Sequence, residues 1–262
     1  MSENILEIIN LSKYFGGLAA VSDCSLNVKR GTITGIIGPN GSGKTTLFNL
    51  IAGNLKSSSG AVKFDDENIT DVPSYELFSK GLLRTFQIAH EFSNLSVLEN
   101  LMMVPGNQSG EKLMTALLKP KLVAEEEAKV KEKAKEVVDF LNLGHLSNEL
   151  AGNLSGGQKK LLELGRTMMV DAKLVLLDEV GAGVNRTLLK DLGTAIEKLN
   201  KEKGYTFCMI EHDMDFIGRL CDPVIVMAEG SVLFEGTVEE AKKDEKVIES
   251  YLGRGSKLKD RN

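Results

Sequence analysis

The stretch from Gly38 to Thr46, GPNGSGKTT, constrains the fold more than any other part of the sequence. It follows the apolar run ITGII, which predicts a buried parallel strand, and a helix is predicted to begin within GSGKTTLFNLIAGNL. Glycines let the backbone turn several N–H groups toward one anion, and the helix N-terminus adds partial positive charge. In this setting the pattern G-x-x-x-x-G-K-[ST] predicts a phosphate-binding loop beside a parallel sheet.

The side chains of this loop indicate a nucleoside triphosphate held with a magnesium ion. Lys44 can reach the β- and γ-phosphates, the Thr45 hydroxyl can ligate Mg²⁺, and Thr46 can donate to a phosphate oxygen. The nucleotide-binding set is Gly38, Pro39, Asn40, Gly41, Ser42, Gly43, Lys44, Thr45 and Thr46. A phosphate loop alone leaves kinases, GTPases, motors and transporter ATPases open.

Two adjacent carboxylates, Asp178 and Glu179, follow the apolar run LVLL and precede VGAGVNR. Crowding two like charges at a strand end suggests a positive group nearby or a reaction that needs a base. An acid at the end of a parallel strand holds Mg²⁺ in phosphate-loop proteins, so Asp178 is the predicted metal ligand. Glu179 would polarise a water for in-line attack. The alternative is a strand that ends at the surface with its acids in water.

The order of the predicted elements indicates an α/β fold with a helical insertion. The chain starts with strands and turns, becomes helical between about Gln87 and Leu154, and then alternates helices with strands at Lys173–Leu177 and Tyr205–Ile210. A hairpin is predicted to turn at Glu229-Gly230. We expect a phosphate-loop core with a parallel sheet, an N-terminal antiparallel β subdomain and an inserted α-helical subdomain.

Composition excludes some classes of protein. The 262 residues contain no apolar run near the ~18–20 residues that a membrane span needs, and the acidic start MSENILEIIN predicts no secretory signal. The formal net charge of −5 argues against a nucleic-acid partner. Three cysteines without a CxxC pair fit a reduced, cytosolic compartment.

A second helix start with exposed N–H groups is predicted in LSGGQKKLLELGRTMM. Ser155 is a plausible N-cap, and Gly156 and Gly157 leave the first turn open to an anion. One triphosphate is already held near Lys44, so the economical arrangement has this helix completing the site of another subunit. The alternative is an ordinary capped helix with a glycine-rich start.

These segments, together with Gln87 in RTFQ and His212 in IEHD, occur in the order found in ATP-binding-cassette (ABC) ATPases, which the chain resembles over nearly its whole length. The resemblance implies a head-to-tail dimer with each ATP between the phosphate loop of one subunit and the signature helix of the other. It implies catalytic roles for Glu179, His212 and Gln87, and Mg²⁺ contacts from Thr45, Gln87 and Asp178. The signature residues acting in the other subunit's site would be Leu154, Ser155, Gly156, Gly157 and Gln158.

The adenine is expected to stack on an aromatic residue of the first β segment. By the family's aromatic-before-glycine pattern, SKYFGG indicates Phe15 rather than Tyr14. Packing of either ring within a β-hairpin stays open.

The chain is most similar to the larger ATPase of branched-chain amino acid importers, with an extra segment at about Gly106 to Lys135. NLSKYFGGLAAVSDCSLNV, GLLRTFQ and VIESYLG support this. The alternatives are the ATPase of a lipopolysaccharide-type exporter and a soluble ABC protein without a transport role. Val180 departs from the usual proline after the catalytic glutamate, and AGVN (182–185) replaces a common Ser-Ala-Leu-Asp loop; neither change alters Asp178 or Glu179.

The resemblance also implies the organisation and the partners. We expect one nucleotide-binding domain over 1–262, with the core and β subdomain at 1–86 and 160–240, the helical signature subdomain at 87–159, and a C-terminal helix and tail at 241–262. The partners would be a second ATPase subunit, either a copy or a paralogue, polytopic permease subunits and, indirectly, a solute-binding protein. The expected location is peripheral, on the cytoplasmic face of the inner membrane.

Overall fold

A computed structural model describes residues 2–85, 91–106, 108–111 and 113–256, with the side chains of 252–256 left out. The chain forms two compact units, one of residues 1–84, 173–181 and 197–262, the other of residues 85–172 and 182–196. The strands are β1 (Asn4–Phe15), β2 (Leu18–Lys29), β3 (Ile33–Ile37), β4 (Ser59–Phe64), β5 (Glu67–Asn68), β6 (Leu82–Arg84), β7 (Leu174–Asp178), β8 (Thr206–Ile210), β9 (Val224–Ala228) and β10 (Ser231–Gly236). The helices are α1 (Lys44–Ile51), α2 (Ser74–Lys80), α3 (Val97–Met102), α4 (Leu113–Leu118), α5 (Pro120–Phe140), α6 (Gly156–Met168), α7 (Arg186–Lys203), α8 (Met214–Leu220), α9 (Val238–Ala241) and α10 (Glu245–Ser256).

The first unit contains a six-stranded sheet in the order β10-β9-β3-β8-β7-β6. All neighbouring pairs from β9 to β6 are parallel, and β10 joins β9 as an antiparallel edge. The central strands β3, β7 and β8 are buried at every position, as expected for parallel strands covered on both faces. The predicted parallel core is confirmed, and the carboxyl ends of these strands lie along one edge of the sheet.

A second sheet in this unit is antiparallel, in the order β2-β1-β4-β5. Its apolar residues, among them Leu6, Leu11 and Phe64, belong to one buried cluster with Leu47 and Phe48 of α1. The helix that begins in the phosphate loop is therefore anchored by the predicted β subdomain. The predicted hairpin turns at Glu229-Gly230, where both residues have positive φ (50° and 84°), as two-residue hairpin loops require.

The second unit is mainly helical. Ala134, Val137 and Val138 of α5 are buried, and a Cβ on Gly165 of α6 would lie 2.7 Å from a Leu141 methyl, so α6 approaches its neighbour closely. The predicted boundary between 159 and 160 cuts through α6, a continuous helix that lies wholly in this unit.

A buried asparagine holds the start of this unit together. Asn100 is fully buried, and its side-chain oxygen accepts the Phe92 N–H at 2.9 Å. Its amide nitrogen lies 3.1, 3.3 and 3.0 Å from the carbonyl oxygens of Phe92, Leu95 and Ser96. One side chain thus satisfies the backbone of a loop that has no regular structure of its own.

We expect Asn100→Ala to lower the free energy of unfolding by about 2–4 kcal/mol, because it leaves a buried N–H and carbonyl groups unpaired. Urea-induced unfolding followed by circular dichroism measures this. Asn153→Ala is the matched control: Asn153 is exposed and its amide donates to Glu149 at 2.5 Å. The control should change stability by less than about 0.5 kcal/mol. Equal effects of the two variants would contradict the role given to Asn100.

No helix in the described part of the chain is both long and apolar enough to cross a membrane.

Candidate functional site

The phosphate loop needs glycine where its backbone passes close to other strands. Gly38 has φ 147°, and a Cβ there would lie 2.1 Å from the Met227 carbonyl oxygen. Gly43 has φ 99°, and its Cβ would lie 2.4 Å from the Ala20 carbonyl oxygen. Both contacts are shorter than any real Cβ contact, and both φ values disfavour a side chain. The loop predicted from GPNGSGKTT is therefore present between β3 and α1.

Lys44, at the first position of α1, has its ammonium group turned into the loop. Its Nζ donates to the carbonyls of Gly38 at 2.8 Å and Pro39 at 3.1 Å, and the residue is 5% exposed. Thr45 is exposed and Thr46 half-buried on the same first turn. A lysine ammonium held within a glycine-rich loop at a helix N-terminus is suited to bind a polyphosphate.

The two adjacent carboxylates have separate side-chain partners in this structure. Asp178 is the last residue of β7, only 3% exposed, and its Oδ2 accepts a hydrogen bond of 2.7 Å from Arg84 Nη2. Glu179 Oε1 lies 3.0 Å from His212 Nε2. The crowding seen in the sequence is therefore relieved by two residues of the same unit, one of which, Arg84, the motif reasoning missed.

Glu179 sits on a left-handed backbone, with φ 49°. Its N–H donates to the Ile210 carbonyl at 2.9 Å, which ties the residue to the end of the neighbouring strand β8. Its side chain is 22% exposed and that of His212 is 47% exposed, so the pair reaches solvent while Asp178 does not. A non-glycine residue with positive φ costs about 1–2 kcal/mol and is enriched at functional sites.

Glu211, which the motif reasoning also missed, bonds the backbone on both sides of the Glu179–His212 pair. It is 4% exposed; its Oε1 accepts the Gly181 N–H at 2.7 Å, and its Oε2 accepts the His212 N–H at 3.3 Å. Burial raises the pKa of the Glu211 carboxyl, and these two N–H groups oppose the rise. Glu211 thus joins the loop after Glu179 to the residue that carries His212. Val180, at the position of the usual proline, is 4% exposed and packs inward.

The signature segment forms a capped helix start in the second unit. The Gln158 N–H donates to Ser155 Oγ at 3.4 Å and the Ser155 N–H donates to Gln158 Oε1 at 2.9 Å, which is a capping box. Ser155 and Gly156 are exposed, Gln158 is half-buried and Leu154 is buried. Gly157 is buried against Leu188: a Cβ at this position would lie 2.4 Å from a Leu188 methyl. The exposed turn presents a hydroxyl and backbone N–H groups to solvent.

The two remaining predicted residues are Phe15 and Gln87. Phe15 ends β1 at the turn into β2; it is 48% exposed, and Lys13 Nζ lies 5.3 Å from its ring centre. Tyr14 is equally exposed, at 49%. Gln87 lies outside the described residues, so its predicted Mg²⁺ contact stays a prediction.

The donor groups suit magnesium that is held jointly with a nucleotide. The described residues contain no cluster of three or more His, Cys, Asp or Glu side chains that would hold a metal by themselves. They offer instead one buried carboxylate, Asp178, and one exposed hydroxyl, Thr45, in the same unit. Mg²⁺ is commonly bound by one or two protein oxygens together with phosphates and water. The residues therefore fit the ion.

Comparison with known proteins shows the family of the chain. The family model "ABC transporter" matches residues 21–182, and "Branched-chain amino acid ATP-binding cassette transporter" matches 231–257. The chain is 43% identical over 249 residues to a probable branched-chain amino acid transport ATP-binding protein LivG of Archaeoglobus fulgidus, covering 95% of each protein. A protein of the same name from Methanocaldococcus jannaschii is 42% identical, with 95% of this chain and 97% of that protein covered.

Solved structures give the same result. The crystal structure of the ADP conformation of MJ1267, an ATP-binding cassette of an ABC transporter, superposes with a TM-score of 0.81 and is 39% identical, covering 96% of this chain and all of that one. Both the matched length and the identity are well beyond a shared core motif. The chain is an ATP-hydrolysing cassette of the ABC transporter family, and it belongs there with the branched-chain amino acid transport ATP-binding proteins.

Proposed function

We propose that this chain powers the import of branched-chain amino acids or a related small solute by hydrolysing Mg–ATP between two ATPase subunits. The observation that carries the proposal is the grouping, within one unit, of the Lys44 loop, the buried Asp178 and the Glu179–His212 pair. The names of the relatives support the substrate class, and no feature of the site favours a lipopolysaccharide exporter or a non-transport role.

Each residue has a role that follows from its surroundings. Backbone N–H groups between Asn40 and Thr46 donate to the phosphates, Lys44 neutralises the β- and γ-phosphates, and Phe15 stacks on the adenine. Mg²⁺, held by Thr45 and Asp178 together with Gln87, would supply positive charge at the phosphate oxygens. Glu179 accepts a proton from the attacking water. His212 contacts both Glu179 and the γ-phosphate and so fixes their relative positions.

The exposed start of α6 supports a site shared between two subunits. Ser155, Gly156 and Gly157 offer a hydroxyl and N–H groups in the second unit, while the phosphate loop belongs to the first. In a head-to-tail dimer the start of α6 in one subunit meets the γ-phosphate bound by the other. ABC ATPase subunits work with permease subunits, so we place the chain at the cytoplasmic face of the membrane, with a solute-binding protein as an indirect partner.

Ser155→Arg should leave ATP binding by the single subunit within about twofold of wild type and reduce turnover at least ~100-fold. The reason is that the arginine side chain fills the helix start that must approach the other subunit's γ-phosphate, at a cost of more than about 2.7 kcal/mol of barrier. Fluorescent-ATP titration and steady-state phosphate release measure the two quantities.

Ser96→Arg is the matched control, because Ser96 caps α3 of the same unit with the same kind of capping box to Glu99. Both variants lose a cap worth about 1 kcal/mol, so only the site-specific effect should differ between them. Loss of ATP binding in the isolated Ser155→Arg subunit would mean that the signature acts within its own chain. Equal turnover losses in the two variants would mean that the loss in Ser155→Arg comes from a weakened helix rather than from a blocked site.

A further inference from the structure

Arg84 forms an ion pair with Asp178, the predicted metal ligand. Arg84 lies on β6, the strand next to β7 in the sheet. β6 runs parallel to β7 with Arg84 opposite Leu176. Side chains two residues apart on a strand point to the same face, so Asp178 projects on the face that Arg84 occupies. The resulting contact is 2.7 Å long, between side chains that are 12% and 4% exposed.

The same guanidinium also contacts the helix that follows the phosphate loop. Arg84 Nη1 donates to Asn49 Oδ1 at 2.6 Å, and its central carbon lies 6.0 Å from the centre of the Phe48 ring. Asn49 and Phe48 are in α1, four and three residues after Thr45. One planar cation is therefore fixed between the carboxylate and the helix that carry the two proposed metal ligands.

We propose that Arg84 is a built-in counter-ion for Asp178, which compensates this buried charge when no metal is bound and thereby sets the Mg²⁺ concentration at which the site fills. A buried carboxylate without a partner is strongly destabilising, and Arg84 removes that penalty in the metal-free state. The same positive charge opposes the approach of a divalent cation to Asp178. Arg84 acts through Asp178, so it is a positioning residue rather than a catalytic one.

This inference rests on the proposed Mg²⁺ site, and it gives a prediction of definite sign. Arg84→Gln removes the charge and keeps an amide N–H donor on a shorter side chain. The Mg²⁺ concentration that half-saturates the nucleotide-bound protein should fall by about five- to twentyfold. This change is small compared with the bare Coulomb repulsion between Arg84 and Mg²⁺, because water around the ion screens the two charges. Arg84→Lys loses the planar fork but keeps the positive charge, so its Mg²⁺ requirement should stay within about twofold of wild type.

The experiment titrates Mg²⁺ into full-length protein saturated with a fluorescent ATP analogue, after removal of metal with EDTA. Thermal unfolding is recorded in EDTA and in Mg²⁺ with nucleotide. Arg84→Gln should lower Tm in EDTA, and Mg²⁺ with nucleotide should restore most of the loss. Should Arg84→Gln fold poorly, Arg84→Met retains the apolar stem against Phe48 and carries the same prediction.

Arg30→Gln is the matched control, because Arg30 forms an ion pair with Asp65 elsewhere in the same unit. It should lower Tm equally with and without metal and leave the Mg²⁺ dependence unchanged. An unchanged or increased Mg²⁺ requirement in both Arg84→Gln and Arg84→Met would overturn the counter-ion role. If the wild-type protein itself showed no Mg²⁺ dependence, the proposed metal site would be wrong instead.

Discussion

Glu179→Gln should reduce ATP turnover by ~10²–10⁴-fold while ATP and Mg²⁺ still bind, the loss expected when a general base is removed. Glutamine has the same length and the same backbone demand at φ 49°, and its amide still reaches His212, 3.0 Å away in the native pair. The geometry is retained and only the proton acceptor is lost. Because hydrolysis is blocked after the site has assembled, the ATP-bound closed dimer should accumulate, which gel filtration in Mg–ATP detects.

Asp178→Asn is the contrasting variant for this experiment. Asp178 is buried against Arg84, whereas Glu179 reaches solvent, so the two losses should differ in kind. Asp178→Asn should weaken Mg²⁺-dependent nucleotide binding itself and leave no trapped dimer. Full turnover in Glu179→Gln would leave the paired carboxylates without their chemical explanation, and a trapped dimer in both variants would erase the distinction between base and metal ligand.

Lys44→Ala should weaken ATP affinity by about 10–100-fold and abolish measurable turnover. A hydrogen bond to a charged group is worth about 1.5–3 kcal/mol, and the loop has Lys44 as its only cationic side chain between residues 38 and 46. The variant also removes the donor that now bonds the carbonyls of Gly38 and Pro39. Isothermal titration with ATP and phosphate-release assays measure both effects.

Lys173→Ala controls for the loss of a lysine from the same unit. Lys173 pairs with Asp65 at 2.6 Å, and its side chain is 50% exposed, so its removal should leave ATP affinity unchanged. Lys44→Ala protein with normal turnover would exclude the assignment of residues 38–46 as the phosphate loop. A folded Lys44→Ala protein, verified by circular dichroism, makes the result interpretable.

The parts of the fold and site that depend on local sequence could be predicted from the chain alone. The glycines around Lys44 mark a loop whose φ values and close contacts need them, and Ser155 with Gln158 forms the cap that its spacing indicates. The hairpin at Glu229-Gly230 likewise follows from two residues. In each instance the physical cause lies within a few residues of the motif.

Arg84 and Glu211 could not be found in this way, because their roles come from strand register. Arg84 meets Asp178 only since β6 lies parallel to β7 with residue 84 opposite 176, a pairing across almost a hundred residues of chain. Glu211 follows β8 and reaches the loop after β7, its neighbour in the sheet. The amino-acid pattern of a single strand does not determine its register with a neighbouring strand. In the sequence, both residues are therefore indistinguishable from ordinary charged side chains.

The left-handed backbone at Glu179 has a consequence for how such a chain changes over generations. Glycine or asparagine would relieve the strain at φ 49°, so substitutions that improve folding at this position are within reach of random mutation. In the proposed mechanism, the need for a base in ATP hydrolysis opposes such substitutions. A gene copy released from that requirement should therefore lose this glutamate early and gain stability as it does so. The residue at position 179 is then a sensitive marker of whether a duplicated cassette still hydrolyses ATP.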